Sequence, residues 1–169
     1  MAVLTRVLSV MCVGCFCSAV TLQAQGGGNK AQSILVHVRS LDASDSLEQK
    51  KNTLRHGPVR YEIDERISDL SEQLKRLHFR KFKLRNSVEK RMALESKVIF
   101  ELGDGHTLEL KPLYRNKDRV CLWIEWTDGS GMKVLNTRLH LNVKESMITG
   151  TDQSQDSGVI LAIDVADEQ

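Results

Sequence analysis

The chain has 169 residues, 41% hydrophobic and 27% charged, and its 24 Lys and Arg against 22 Asp and Glu leave a net charge of +2. That length suits one globular domain, and the balanced charge excludes a disordered or strongly polyionic chain. Aromatic residues are only 5%, and no internal stretch reaches the about 18 continuous apolar residues of a spanning helix, which excludes a polytopic membrane protein and disfavours an aromatic-lined nucleic-acid reader.

Residues 1–24 differ in kind from the rest. A single basic residue, Arg6, precedes the uncharged run 7–22, which ends in Leu22-Gln23-Ala24. This is the pattern of a secretory signal peptide, and residues 25–32, with Gly26-Gly27-Gly28, read as a flexible leader. Beside the alternative of an uncleaved N-terminal anchor, two fates stand open. Cleavage after Ala24 leaves a mature chain from Gln25. Lipidation at Cys15, which follows Cys12-Val13-Gly14, would anchor the protein to the envelope. Both predict an exported, periplasmic protein with no transmembrane span in its mature chain. Three of the four cysteines lie in the removed segment, so cleavage leaves only Cys121 and no intrachain disulfide. Its setting, Val120-Cys121-Leu122-Trp123-Ile124, predicts a buried thiol rather than a nucleophile.

The stretch 33–39 is a β-branched run and predicts a strand, followed by the polar breaker Asp42-Ala43-Ser44-Asp45-Ser46. Residues 47–56 are polar and fit no element, and Gly57-Pro58 introduces a helix. There Ile63, Ile67, Leu70, Leu74 and Leu77 line one face at helical spacing, with acids early and bases late. Residues 79–85 then alternate, with Phe82 and Leu84 on one face and Lys81, Lys83 and Arg85 on the other. From Val88 on, the period is two. Val98, Phe100 and Leu102 lead into Gly103-Asp104-Gly105 and return through Leu108 and Leu110, a hairpin signature. Pro112 predicts an edge or an exit there. Val120, Leu122, Ile124 and Trp126 share a strand face opposite Cys121 and Trp123, Asp128-Gly129-Ser130-Gly131 turns the chain, and Leu135 to Val143 alternates back. A short strand at 147–150, a polar loop at 151–157 and a last strand at 159–165 complete the pattern. The fold class read from this is α+β: a strand-helix-strand opening followed by an antiparallel β-sheet or small β-sandwich. It forms a single domain over 33–165, with a short acidic tail at 166–169.

No catalytic residue, metal or cofactor is assigned. His37, His56, His78, His106 and His140 are scattered, and no pair has the helical spacing that aims two imidazoles at one metal. Asp104 and His106 flank Gly105 and read first as a hairpin turn, with a loop acid-base pair as the rival. Asp128-Gly129-Ser130-Gly131 lacks the strand-to-helix context of a nucleophile elbow. The strongest surface signal is basic: over 75–91, eight Lys and Arg face the single acid Glu89. Lys81, Lys83 and Arg85, with Arg80 and His78, are read as a partner-binding stripe for an anionic surface or acidic partner. Strand-edge protection is the competing account. The acids Asp152, Asp156, Asp164, Asp167 and Glu168 could answer it. Trp123 is the candidate interface aromatic.

The run Glu101-Leu102-Gly103-Asp104-Gly105-His106-Thr107-Leu108-Glu109-Leu110-Lys111-Pro112-Leu113, then Val134-Leu135-Asn136-Thr137, then Gly158-Val159-Ile160-Leu161-Ala162-Ile163, resembles a family of uncharacterised exported bacterial envelope proteins. The stretch 139–165 is similar to the terminal strands of secretin-type outer-membrane assemblies, but Thr149-Gly150-Thr151 stands where those have paired glycines. The resemblance implies an envelope location and no established activity. The expectation is a non-catalytic protein-binding or structural subunit of a bacterial cell-envelope assembly, accessory to a secretion, pilus or motility machine. It would act in an oligomer or hetero-complex with envelope protein partners, without nucleic acid. The alternative is a small periplasmic hydrolase or carbohydrate-binding protein with its site near the Asp104 and His106 turn.

Overall fold

The computed structural model describes residues 33–45 and 60–166. The signal-like segment 1–24 with Cys15, the expected leader 25–32, the segment 46–59 and residues 167–169 of the acidic tail lie outside the described residues. Among the described residues nine strands fall into two sheets. The five-stranded sheet has the order β2-β3-β1-β9-β8, built from β1 (Ser33–Ser44), β2 (Glu62–Ile63), β3 (Lys81–Ala93), β8 (Ser146–Ser154) and β9 (Ser157–Ala166). The four-stranded sheet is the meander β4 (Val98–Gly103), β5 (His106–Arg115), β6 (Arg119–Thr127) and β7 (Lys133–Asn142). All pairings are antiparallel except the two-residue bridge of β2 to β3. The result is the expected small sandwich with a helical element on one side, an α+β fold.

Period-two alternation builds the main core between the sheets. Ile34, Val36 and Val38 of β1, Met92 of β3 and Val159, Leu161, Ile163 and Val165 of β9 meet Phe100, Leu102, Leu108, Leu110, Leu122, Ile124 and Trp126 of the meander. A second core lies on the other side of the five-stranded sheet. There Leu41, Ala43, Phe82, Ile160 and Ala162 are covered by Ile67, Leu70, Leu74 and Phe79. Strand β9 is thus apolar on both faces, which explains its unbroken buried run from Gly158 to Ile163, while β1 gives Ile34, Val36 and Val38 to one core and Leu41 and Ala43 to the other.

The helical signal is genuine but shorter than its pattern. Asp64 caps a 3-10 helix over Glu65–Leu70, accepting from the Arg66 N–H at 3.1 Å, and a single turn α1 (Ser71–Leu74) follows. Ile63 is taken by the bridge to Phe82, and Ile67 leaves helical backbone at φ −126°. The apolar spacing is therefore satisfied by a kinked cap rather than a continuous helix.

Three boundaries also differ from expectation. β1 continues through the supposed breaker to Ser44 because Leu41 and Ala43 are buried under the cap. β5 runs on past Pro112, which pairs with Leu122 where β4 no longer flanks the strand and next to a bulge, so its missing N–H leaves no ladder bond unmade. β8 and β9 meet in a tight turn where a polar loop was expected.

A bulge in β3 organises one corner. Asn86 pairs with Ser40 and Leu84 with Leu41, leaving Arg85 as the extra residue. The alternation changes phase there: Phe82 and Leu84 face the cap, whereas Val88 and Met92 face the meander.

Candidate functional site

The bulge decides the fate of the basic stripe. Arg85 bonds Asp42 through Nε at 2.8 Å and Asp104 through Nη2 at 3.0 Å, tying the five-stranded sheet to the tip of the β4–β5 hairpin. Lys81 pairs with Glu62 at 2.7 Å, and His78 lies 3.5 Å from Asp152. Arg80 is also engaged within the chain. Lys83 is exposed and has no ion partner among the described residues. The charge of the stripe is therefore answered largely inside the molecule. Of the C-terminal acids, Asp152 meets it at His78, while Glu62, Asp42 and Asp104 take the larger share.

Asp104 and His106 belong to different environments. Asp104 sits at φ +50° in the turn with Gly105 at +77°, as a tight hairpin requires, and its carboxylate faces Arg85. His106 is buried, with Nδ1 accepting from the Trp126 indole at 3.3 Å and Nε2 3.3 Å from the Gln153 amide. Both imidazole nitrogens are thus occupied in the core rim. In the next turn Asp128 accepts from the Ser130 hydroxyl at 2.7 Å and from the N–H groups of Ser130 and Met132, both at 2.9 Å. These bonds, the serine hydroxyl first, hold its carboxyl below the usual range. The serine is spent on closing the turn.

One constellation escaped the sequence reading because its members come from four strands and the cap. On the cap-side face of the five-stranded sheet, His37 Nε2 is 2.8 Å from Ser87 Oγ and Nδ1 is 3.5 Å from Asp164. The connectivity is that of a Ser-His-Asp triad, but the surroundings oppose nucleophilic catalysis. Asp164 already accepts from Arg39 at 2.9 Å and from the Ser146 hydroxyl, so its charge is neutralised before it could support an imidazolium. The Ser87 N–H is engaged by the Asn86 side chain at 2.9 Å and is not free to receive an oxyanion. Arg39, 5% exposed, also forks onto both oxygens of Asp69 at 2.9 and 2.8 Å. The group is a polar latch fastening the cap to the sheet.

Two features face outward. The first is the edge of β8. Each other open edge is guarded: β3, beyond its two-residue bridge to β2, by its lysines and arginines, β7 by Lys133 and Arg138, and β4 by side chains that reach its carbonyls. Asn86 donates to Glu101 O at 2.7 Å, Lys90 to Ile99 O at 2.9 Å and Ser40 to Leu102 O at 2.7 Å. Along β8, residues 146–151 carry no charge and no proline. The second is the outer face of the meander, where Trp123 is half-buried. Its Nε1 donates to Asn136 at 3.2 Å, and Arg138 lies directly across the ladder. Cys121 is buried beside them as expected, and the Tyr114 hydroxyl meets His140 Nε2 at 2.6 Å.

Among the described residues no helix is long and apolar enough to cross a membrane. Nor does any group of three or more His, Cys, Asp or Glu among them come together as a metal site. Compared with known proteins, the chain matches no family model, no curated protein and no solved structure.

Proposed function

We propose that the chain is a non-catalytic, protein-binding or structural subunit of a bacterial cell-envelope assembly, exported to the periplasm and joined to its partner by addition of a strand along β8. The observation that carries this reading is the contrast between edges. Main-chain groups of an uncovered outer strand are a template for another strand, and proteins normally blunt such templates with charge, proline or a cover. Here β3, β4 and β7 are blunted, while residues 146–151 of β8 are not. The signal-like leader at 1–24 supports an envelope location, and the internal engagement of the plausible acid-base groups favours binding over chemistry.

A photo-crosslinking residue placed at Thr151 on β8, with Ile99 on β4 as the comparison position, tests the proposal in intact envelopes. A discrete adduct is expected from position 151 and not from 99. Adding Thr149→Lys, an inward-pointing edge charge, should abolish the adduct while the far-ultraviolet circular dichroism stays native. Equal adducts from both positions, or an adduct indifferent to the lysine, would overturn the assignment.

A further inference from the structure

We propose that the depression around Trp123 on the outer face of the meander binds one carboxylated sugar ring, a hexuronate unit of an acidic glycan. The inference does not rest on the β8 edge, which belongs to the other sheet. The depression has a volume of about 250 Å³ and is lined by Lys97, Lys111, Leu113, Trp123 and Arg138. That is small for a drug-sized cleft and suits a single ring rather than an extended peptide.

Charge fixes the first part of the ligand. Lys97 pairs with Glu109 and Lys111 with Glu95, so three cations stand against two acids and one positive charge is in excess. Arg138 is exposed and has no carboxylate partner among the described residues. Its planar fork is shaped to take both oxygens of one carboxylate.

The floor and rim fix the rest. The indole of Trp123 offers a π face, negative at its centre, on which the C–H face of a sugar ring can stack. That face already attracts positive charge, since Lys97 Nζ lies 5.1 Å from the ring centroid. This ammonium rides on a flexible four-carbon stem and can swing from the ring to the incoming carboxylate. Around the floor stand both acceptors, Glu95 and Glu109, and donors, Lys97 and Lys111. A ring of hydroxyls, which donate and accept, uses both kinds, whereas a bare carboxylic acid uses only the donors.

The test is a titration of the isotope-labelled full chain with trigalacturonate, followed through the two tryptophan indole N–H resonances. Trp126 is wholly buried and serves as the internal reference. The Trp123 signal is expected to move saturably while that of Trp126 stays. Arg138→Gln should weaken binding at least about tenfold and remove the preference over neutral cellotriose, since a charge-assisted bond is lost. Trp123→Ala, followed through the backbone amide resonances of Lys97, Lys111 and Arg138, should abolish binding of both sugars with the spectrum otherwise native. An unmoved Trp123 signal at millimolar trigalacturonate would overturn the proposal. So would an equal response to a short polyglutamate, which would assign the site to an acidic peptide.

Discussion

At the scale of the residue, charge is used here chiefly to fasten one layer to the next. Arg39 is buried between Asp69 of the cap and Asp164 of β9, and both partners keep some contact with solvent. Arg39→Ala should therefore destabilise by about 2–3 kcal/mol, somewhat under the cost of breaking a wholly buried pair, as read from urea midpoints at constant m-value. Two neighbours in the basic stripe should behave oppositely. Arg85→Glu places a third carboxylate beside Asp42 and Asp104 and should cost about 2 kcal/mol, whereas Lys83→Glu should leave thermal unfolding unchanged. Equal effects of the two reversals would show that the Arg85 bridge contributes nothing. Asp64 supplies a pH signature. Its bond with the Arg66 side chain, reinforced by the N–H groups of Arg66 and Leu84, holds the carboxyl well below the usual range. A carboxyl depressed in the fold takes up its proton more readily when unfolded. Its stabilisation is therefore complete above the ordinary value of about 3.9 and is lost as pH falls through the lower folded value. Asp64→Asn should consequently be less stable than wild type at pH 6, with the gap closing on acidification below pH 4. A gap independent of pH would refute this role.

At the scale of the element, close approach constrains the β8–β9 hairpin. A Cβ on Gly158 would stand 2.7 Å from Thr151 O and 2.9 Å from the Phe79 ring, so Gly158→Ala should cost about 1–3 kcal/mol through overpacking. A thermal melt unchanged by the substitution would mean that Phe79 yields freely. The same elements show what could be read from sequence. The meander was legible because its strands alternate cleanly and its turns carry Gly-Asp-Gly and Asp-Gly-Ser-Gly, which report their own geometry locally. The end of β1 was not, since Asp42 and Ser44 are polar and only burial of Leu41 and Ala43 by a distant cap keeps that stretch extended. The helix was legible as a buried face but not as a length, because Ile63 is claimed by β3. The bulge at Arg85 leaves no mark in the sequence: it is a mismatch between two strands, visible only once Ser40 and Leu41 are set against Asn86 and Leu84. For the same reason Lys81 and Arg85 look like members of a free stripe with Lys83 until Glu62, Asp42 and Asp104, from three other segments, come beside them. The latch of His37, Ser87, Arg39 and Asp164 was likewise out of reach, and Trp123 was marked as an interface aromatic without its ring of cations.

At the scale of the whole molecule, the two cores share strands. β1 and β9 send alternate side chains into the inter-sheet core and into the core under the cap, so neither core can be lost while the other keeps its walls. Unfolding should accordingly be a single transition, with the circular dichroism of the sheets and the fluorescence of the buried Trp126 sharing one midpoint. Separate midpoints would mean that the cap melts on its own.

The place of β1 in its sheet also has a consequence in time. It is the first described strand to be synthesised, yet one of its two ladders is completed only by β9, and the Arg39–Asp164 pair closes a separation of 125 residues. Until the last strand arrives, β1 has an open ladder and two apolar faces with no finished core to enter. Such non-local closure is entropically costly before it is rewarded, which places refolding on the order of milliseconds to seconds rather than microseconds. A chain ended after Asp156 should therefore show no cooperative transition at all, and the growing polypeptide stays unfolded until β9 itself has been made.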